Sequence, residues 1–248
     1  MVTRTISGLI PIYNNPITIE KVVKGIQKYI DQVIIVNDGS DASTRHLLDS
    51  LSLQDPEHIH IVHLPVNRGK GAAVKAGLKH ALTLGFSHAL QVDADGQHDL
   101  DDIPHFLECM NANPKALILG APVFGDDIPA IRKHGRKLTK LMIALEAGTL
   151  TLPDAMCGFR VYPVAATNAL RCCCSRMCYD PEVLIRAYWA GIPVRSVATH
   201  VRYLSAEEGG ISHFRSVHDN ILNVVLHTRL VLQAPGRWLL RLTKITRS

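Results

Sequence analysis

"LQVDADGQHDLDDIP", residues 90–104, sets five aspartates directly behind an apolar run. The run, "HALQVDA", reads as a β-strand, so the acidic cluster begins where the strand should stop. Residues two apart in an extended chain point to the same side. Asp93 and Asp95 therefore lie side by side, and burying that pair uncompensated would be costly. A hard divalent cation such as Mg²⁺ or Mn²⁺ resolves the repulsion, because it prefers oxygen ligands and bridges to substrate phosphates. Gln97 offers a neutral oxygen to the same ion. Asp99, Asp101 and Asp102 have a plainer reading, as the capped and charged start of the next helix.

Outward from this stretch the first half alternates strands and helices. "SGLIPIYN", "QVIIVND", "HIHIVHLP", "HALQVDA" and "KALILGAP" are apolar runs that end in turn residues. Between them, "ITIEKVVKGIQKYI" carries helical spacing at Ile19, Val22, Val23 and Ile26, a short helix runs through Leu47, Leu48 and Leu51, and "GKGAAVKAGLKHALTLG" is an Ala-rich helix closed by Gly85. Near-continuous apolar strands separated by helices predict an α/β fold: a mostly parallel sheet covered on both faces. In such sheets ligands bind outside the carboxyl ends of the strands. "PIYNN", "NDGS", "PVNRGKG" and "DADGQH" all fall at those ends. Each alone is an ordinary turn, but four in succession describe a site.

"VNRGKG" lacks the spacing and the hydroxyl of a phosphate-binding P-loop, and no GxGxxG dinucleotide fingerprint follows Gly8. Gly69 and Gly71 around Lys70 still offer close backbone approach and a cation at a helix start, which suits an anion; a plain strand–helix turn is the alternative.

Composition bounds the rest. The chain has 248 residues, 47% of them hydrophobic and 20% charged, enough for a sizeable core. A formal net charge of +5 is too small to argue for nucleic acid. No segment approaches the roughly 18 uninterrupted apolar residues of a membrane-spanning helix, and the N-terminus reads as too short in apolar residues for a signal peptide. A cytoplasmic protein is expected. The six cysteines, four of them in "RCCCSRMC", lack paired zinc spacing and read as reduced thiols in or near a core.

Beyond residue 125 the rhythm changes to a basic helix, "IRKHGRKLTKLMIALEAG", then "LPDAMCGFRVYP", a helix around "DPEVLIRAYWAG", and "IPVRSVATHVRY". A loop "SAEEGGISHFRS" precedes the long apolar helix "VHDNILNVVLHTRLVLQ" and an expected break at Pro235–Gly236. The expected organisation is one domain, 1–215, with a C-terminal helical arm, 216–248. In the arm, Arg237, Arg241, Lys244 and Arg247 oppose Trp238, Leu239, Leu242 and Ile245, a pattern suited to the surface of an anionic membrane. Packing on its own domain or on a second subunit is the alternative.

"PIYNN", "VIIVNDGSDAST", "NRGKGAAVKAG" and "VDADGQH", in that order, resemble the nucleotide-sugar motifs of family 2 glycosyltransferases with the GT-A fold. The likeness is nearest to the dolichyl-phosphate mannose synthase-like branch, to which "CGFRVYP" and "ISHFR" are also similar. The resemblance implies that Pro11, Tyr13 and Asn14 line the base pocket, that Asp38 bonds base or ribose, and that Gly69 and Lys70 lie beside the nucleotide. It implies Asp93, Asp95 and Gln97 on a metal at the diphosphate, and Arg160 against phosphate charge. Asp180 and Glu182 in "YDPEVLIRA" stand where the family tends to place an acidic residue that deprotonates an acceptor; helix capping is the alternative. A lipid phosphate acceptor needs no such base, being already anionic. His200 and His213 are secondary candidates.

The expected function is a metal-dependent inverting hexosyl transfer from a nucleoside-diphosphate sugar to a lipid-linked or membrane-proximal acceptor. A nucleotidyltransferase or a non-catalytic nucleotide-sugar-binding protein are the competing readings.

Overall fold

The computed structural model describes residues 5–123, 130–153, 155–201 and 216–245. Its centre is a seven-stranded sheet of order β3-β2-β1-β4-β6-β5-β7, formed by β1 (Ile6–Ile12), β2 (Val33–Asp38), β3 (Ile59–Leu64), β4 (His88–Gln91), β5 (Leu117–Val123), β6 (Arg160–Pro163) and β7 (Val194–His200). The pairs β1–β2, β2–β3, β1–β4 and β5–β7 are parallel, whereas β6 runs antiparallel to both β4 and β5. The five strands expected in the first half are all present. The short β6 was not anticipated, because four residues containing an arginine carry too little periodicity to read.

Alternation along each strand divides the core in two. Leu9, Ile34, Val36, Leu117 and Leu119 face one side, where α3 (Lys70–Thr83), α5 (Ala130–Ala147), α6 (Val164–Asn168), α7 (Tyr179–Trp189) and α8 (Ser216–Ile245) supply Val74, Leu78, Ile143, Val164, Leu184 and Leu230. Ile10, Ile35, Leu90 and Ile118 face the other, where α1 (Ile19–Gln27), α2 (Ala42–Gln54) and α4 (Ile103–Ala112) supply Val22, Ile26, Leu48 and Phe106. α3 lies so close to the sheet that a Cβ at Gly77 would run into the Leu9 side chain.

Two features position the site. The carboxyl ends of β1 to β4 share one edge, and the antiparallel β6 starts at that edge, with Arg160 opposite Gln91. The second is Pro11. The Gly8 amide donates to Gln32 on the β2 side and the Leu9 carbonyl accepts from Val92 on the β4 side. By alternation Pro11 then faces β4, where it has no N–H to donate. The β1–β4 ladder stops at Leu9–Gln91, and the chain carrying Asp93 and Asp95 leaves β1 at this point.

At the C-terminus the expected Pro235–Gly236 break is absent: α8 continues from Ser216 to Ile245 with Pro235 inside it. Tertiary contacts on both sides of the proline hold the helix together. Leu226, Leu230 and Ala234 are buried in the core, and beyond Pro235 the Trp238 indole N–H donates to the Glu146 carbonyl at 3.0 Å. The carbonyl that loses its helical partner to the proline ring is that of Val231, a residue 38% exposed, so water can reach it. Trp238, read as facing a membrane, instead docks on the end of α5 beside Gly148. The side chains of Leu239, Arg241, Leu242, Lys244 and Ile245, and all of Arg247, lie outside the described residues.

Candidate active site

The turn after β3 is built by a carboxylate from β2. Asp38 accepts the backbone amides of Arg68 at 2.8 Å and Gly69 at 2.7 Å. Gly69 has φ +96°, a conformation open to glycine, and Lys70 opens α3 directly behind it. Burial raises the Asp38 carboxyl while the two amides oppose that rise. This bracing role of Asp38 went unread in the sequence, where "NDGS" gave no hint of its partner thirty residues away. The β1 and β2 ends are joined in the same manner: the Asn14 amide donates to Ser40 Oγ at 3.0 Å, and Asn14 Oδ1 accepts the Asp41 amide at 2.8 Å.

Lys70 reaches along the sheet edge to two carboxylates. Its Nζ lies 2.9 Å from Asp93 and 3.1 Å from Asp180 at the start of α7. Burial works against the ammonium, but Asp180 and Asp93 outweigh it and hold Lys70 charged above the ordinary lysine range. Burial likewise disfavours the Asp93 anion, and Lys70 more than offsets this, so Asp93 titrates below its usual value. Among the described residues no cation forms an ion pair with Asp95. Burial and then the Asp93 charge push its carboxyl up to about 6. It accepts the Gln97 amide at 3.0 Å.

Asp93 and Asp180 thus share one lysine with Asp95 beside them, and among the described residues the neighbouring Arg160 is already engaged. The guanidinium is fully buried and donates to the carbonyls of Cys157, Asp180 and Ala155, with Nη1 3.8 Å from Asp180 Oδ1. The expectation that Arg160 meets phosphate charge is therefore corrected. Its donors are spent on backbone, and its reach is inward because β6 is a central strand. It braces the segment before β6 and the start of α7.

Glu182 is corrected in the same way. One carboxylate oxygen accepts the Cys173 amide at 3.0 Å and Arg186 Nε at 2.6 Å, and the other accepts the Cys174 amide at 2.7 Å. It anchors the cysteine loop and does not share the Lys70 cluster. Asp180, two residues earlier, does.

Asp99, Asp101 and Asp102 take the helix-start role expected of them. Asp99 caps a 3₁₀ turn, Leu100–Asp102, by accepting the Asp101 amide, and Asp102 accepts the His200 amide at 2.8 Å. His200 thus sits beside the helix start, where with Asp99 and Asp102 it forms an oxygen–nitrogen cluster apart from the Lys70 carboxylates. His213 lies outside the described residues.

Two contributors escaped the sequence reading. His98 is buried with Nε2 4.0 Å from Asp93 Oδ2 and its ring tilted against Phe159; burial keeps its imidazole below the ordinary pKa. Gly158 touches Asp93 so closely that any Cβ there would occupy the space of the carboxylate. The antiparallel entry of β6 places it there, and only a topology including β6 would have shown it.

The residues match the family model described as glycosyl transferase family 2 over 7–171. The chain is a family 2 glycosyltransferase. This enzyme is 25% identical over 246 residues to a dolichyl-phosphate β-glucosyltransferase of Trichomonas vaginalis, covering 91% of this chain and 74% of the relative. It is 30% identical over 187 residues to a UDP-N-acetylglucosamine–dolichyl-phosphate N-acetylglucosaminyltransferase of Methanococcus voltae, covering 68% and 74%. A polyprenol monophosphomannose synthase of Mycolicibacterium smegmatis is 34% identical over 106 residues, 42% of this chain and 40% of that one. These relatives place the glycosyltransferase in the dolichyl-phosphate sugar synthase branch. Its fold is shared with glucosyl-3-phosphoglycerate synthase of Mycobacterium tuberculosis, solved with Mn²⁺, UDP and phosphoglyceric acid, at a TM-score of 0.67 and 17% identity over 95% of this chain and 78% of that one. The expected GT-A fold is thereby established. No helix among the described residues is long and apolar enough to cross a membrane.

Proposed function

We propose that this glycosyltransferase moves a hexose, with inversion, from a nucleoside-diphosphate sugar to a lipid phosphate, using Mg²⁺ or Mn²⁺ held by Asp93, Asp95 and Gln97. The observation that carries the reading is the charge imbalance at the sheet edge. Asp93 and Asp180 share one ammonium, and Asp95 is left half-buried beside Asp93 with its proton held to about pH 6. Oxygen donors in that state fit a hard divalent cation. Bound there, the ion would supply charge stabilisation for the departing diphosphate.

The chain's own residues divide the remaining work. Pro11, Tyr13 and Asn14 line the base pocket at the end of β1, beside Asp38. Asp38 shapes the Gly69–Lys70 turn, and that turn presents amide backbone and the Lys70 ammonium to the phosphates. Asp180 holds Lys70 from the opposite side and keeps it aimed along the edge. With a phosphate as acceptor the nucleophile arrives already ionised, so no residue has to take a proton from it. The Trichomonas, Methanococcus and Mycolicibacterium relatives, named for dolichyl or polyprenyl phosphate sugars, support this acceptor class. The solved fold relative with UDP and Mn²⁺ supports the donor and metal class. Contact with the cytoplasmic membrane face is supported by the exposed Ile221, Val224, Val225 and Leu232 on α8.

The deciding experiment is sugar transfer from UDP- and GDP-hexoses to a polyprenyl phosphate, with Mn²⁺ or with EDTA. Transfer with Mn²⁺, its loss in EDTA, and its loss in Asp95→Ala with an unchanged circular-dichroism spectrum are expected. Turnover that persists in EDTA overturns the metal assignment, and release of pyrophosphate from a sugar phosphate and a nucleoside triphosphate overturns the transfer reaction.

A further inference from the structure

The ammonium of Lys70 straddles the Asp93 carboxylate. Its Nζ lies 2.9 Å from Oδ1 and 2.9 Å from Oδ2. That is the position which a cation bound by both oxygens of Asp93 would take. A third contact, with Asp180 Oδ2 at 3.1 Å, ties the same Nζ to the start of α7. Two cations cannot share the position at Asp93, because like charges repel strongly at such short range.

One partner of this contact is fixed and the other can move. Gly158 lies against both oxygens of Asp93, so closely that a Cβ there would overlap them. Gln91 Nε2 reaches Asp93 Oδ1 at 3.3 Å, and the Tyr162 hydroxyl holds Gln91 in turn by donating to its Oε1 at 2.9 Å. Gln91 and Tyr162 are fully buried on the paired strands β4 and β6, so Asp93 is braced by the sheet itself. Lys70 instead carries its ammonium on a flexible four-carbon stem from the first residue of α3. Asp180 offers that ammonium a second seat. Its Oδ1 is buried with no hydrogen-bond partner among the described residues, and Arg160 Nη1 stands off at 3.8 Å. A buried acceptor left unpaired is costly, so an ammonium that turns from Asp93 to both oxygens of Asp180 gains a bond there.

We propose that Lys70 is the resident counter-cation of the metal seat, displaced from Asp93 onto Asp180 when Mg²⁺ or Mn²⁺ binds. The inference rests on the assignment of Asp93, Asp95 and Gln97 to that ion. Entry of the ion is an exchange of one cation for another at Asp93, and its affinity depends on how readily Asp180 accepts the ammonium. Asp180 is then a positioning residue, which keeps the displaced Lys70 at the sheet edge where it faces the phosphates.

The test needs neither donor nor acceptor. Mn²⁺ binding is measured by calorimetry on the wild type, Lys70→Met, Asp180→Asn and the double variant. Lys70→Met should bind several-fold tighter, since no ammonium has to leave. Asp180→Asn should bind several-fold weaker, because the ammonium then holds to Asp93 alone. In the double variant the effect of Asp180→Asn should largely vanish, a coupling that mere loss of a distant negative charge does not produce. The wild type gives a second readout that no folding defect can confuse: the side-chain nitrogen resonance of Lys70 should shift in step with added Mg²⁺. Binding equal or weaker in a folded Lys70→Met, additive effects in the double variant, or a Lys70 resonance unmoved at saturating Mg²⁺ overturns the inference and leaves the metal assignment standing. Absence of binding to the folded wild type and to folded Lys70→Met alike overturns the metal assignment, and the inference with it.

Discussion

At the scale of single residues the site is governed by which charges lack a partner. Asp95 holds its proton to about 6 in the folded protein, against an ordinary value of 3.8. Between those values the folded state binds more protons than the unfolded chain, so this group's contribution to stability falls as pH rises and its cost is complete above about pH 6. A divalent cation at Asp95 offsets that cost only when the carboxylate is ionised. The rise in melting temperature caused by Mn²⁺ should therefore be small at about pH 5 and clearly larger at about pH 7.5; a shift independent of pH would contradict the assignment. Gly158 gives a second prediction. Gly158→Ala puts a methyl where the Asp93 carboxylate lies, and Mn²⁺ affinity measured by calorimetry should fall by about 10-fold or more, as for displaced supports of metal ligands, with the far-ultraviolet circular dichroism unchanged.

At the scale of elements, what the sequence revealed and what it hid separate by physical cause. Strands β1 to β5 and the helices between them were legible because apolar periodicity is a local signal. Asp93 and Asp95 were expected side by side on an extended strand, but β4 ends at Gln91 and the two lie in the turn that follows, still close enough for each charge to act on the other. The Lys70–Asp180 contact was hidden, since it depends on α7 returning to the start of α3. Arg160 was misjudged because a buried arginine is rare, and nothing local distinguishes it from a surface one; its burial follows from β6 lying between β4 and β5. Pro235 misled for a related reason. The lost N–H was read as a break, whereas packing on either side carries α8 through it. Pro235→Ala restores the donor to the Val231 carbonyl, and thermal unfolding should show a gain of about 1–3 kcal/mol. On the same joint, His227 Nδ1 lies 2.6 Å from Oε1 of the fully buried Glu146. His227→Ala strands that carboxylate and should cost about 3 kcal/mol in urea unfolding.

At the scale of the whole molecule, the sheet edge joins elements from both ends of the chain. Strands β1 to β4 form one side of it, and the segment leading into β6 and the start of α7, much further along the chain, close it through Gly158 and Asp180. The C-terminal helix belongs to this body as well, because Leu226, Leu230 and Ala234 complete the core beneath α5 and α7. Truncation ahead of Ser216 should therefore remove core and not merely an appendage: a protein ending there should show exposed apolar surface by dye binding and a lower melting temperature. An unchanged melting curve would mean that residues 1–215 stand alone.

The chain has two tryptophans, and both indoles donate to one acceptor, the Glu146 carbonyl, Trp189 at 3.1 Å and Trp238 at 3.0 Å. One comes from α7, next to the site, and the other from α8, at the far end of the chain. Intrinsic fluorescence therefore reports on a single junction, and the optical signal of the native protein carries a built-in gauge of whether the last helix is seated.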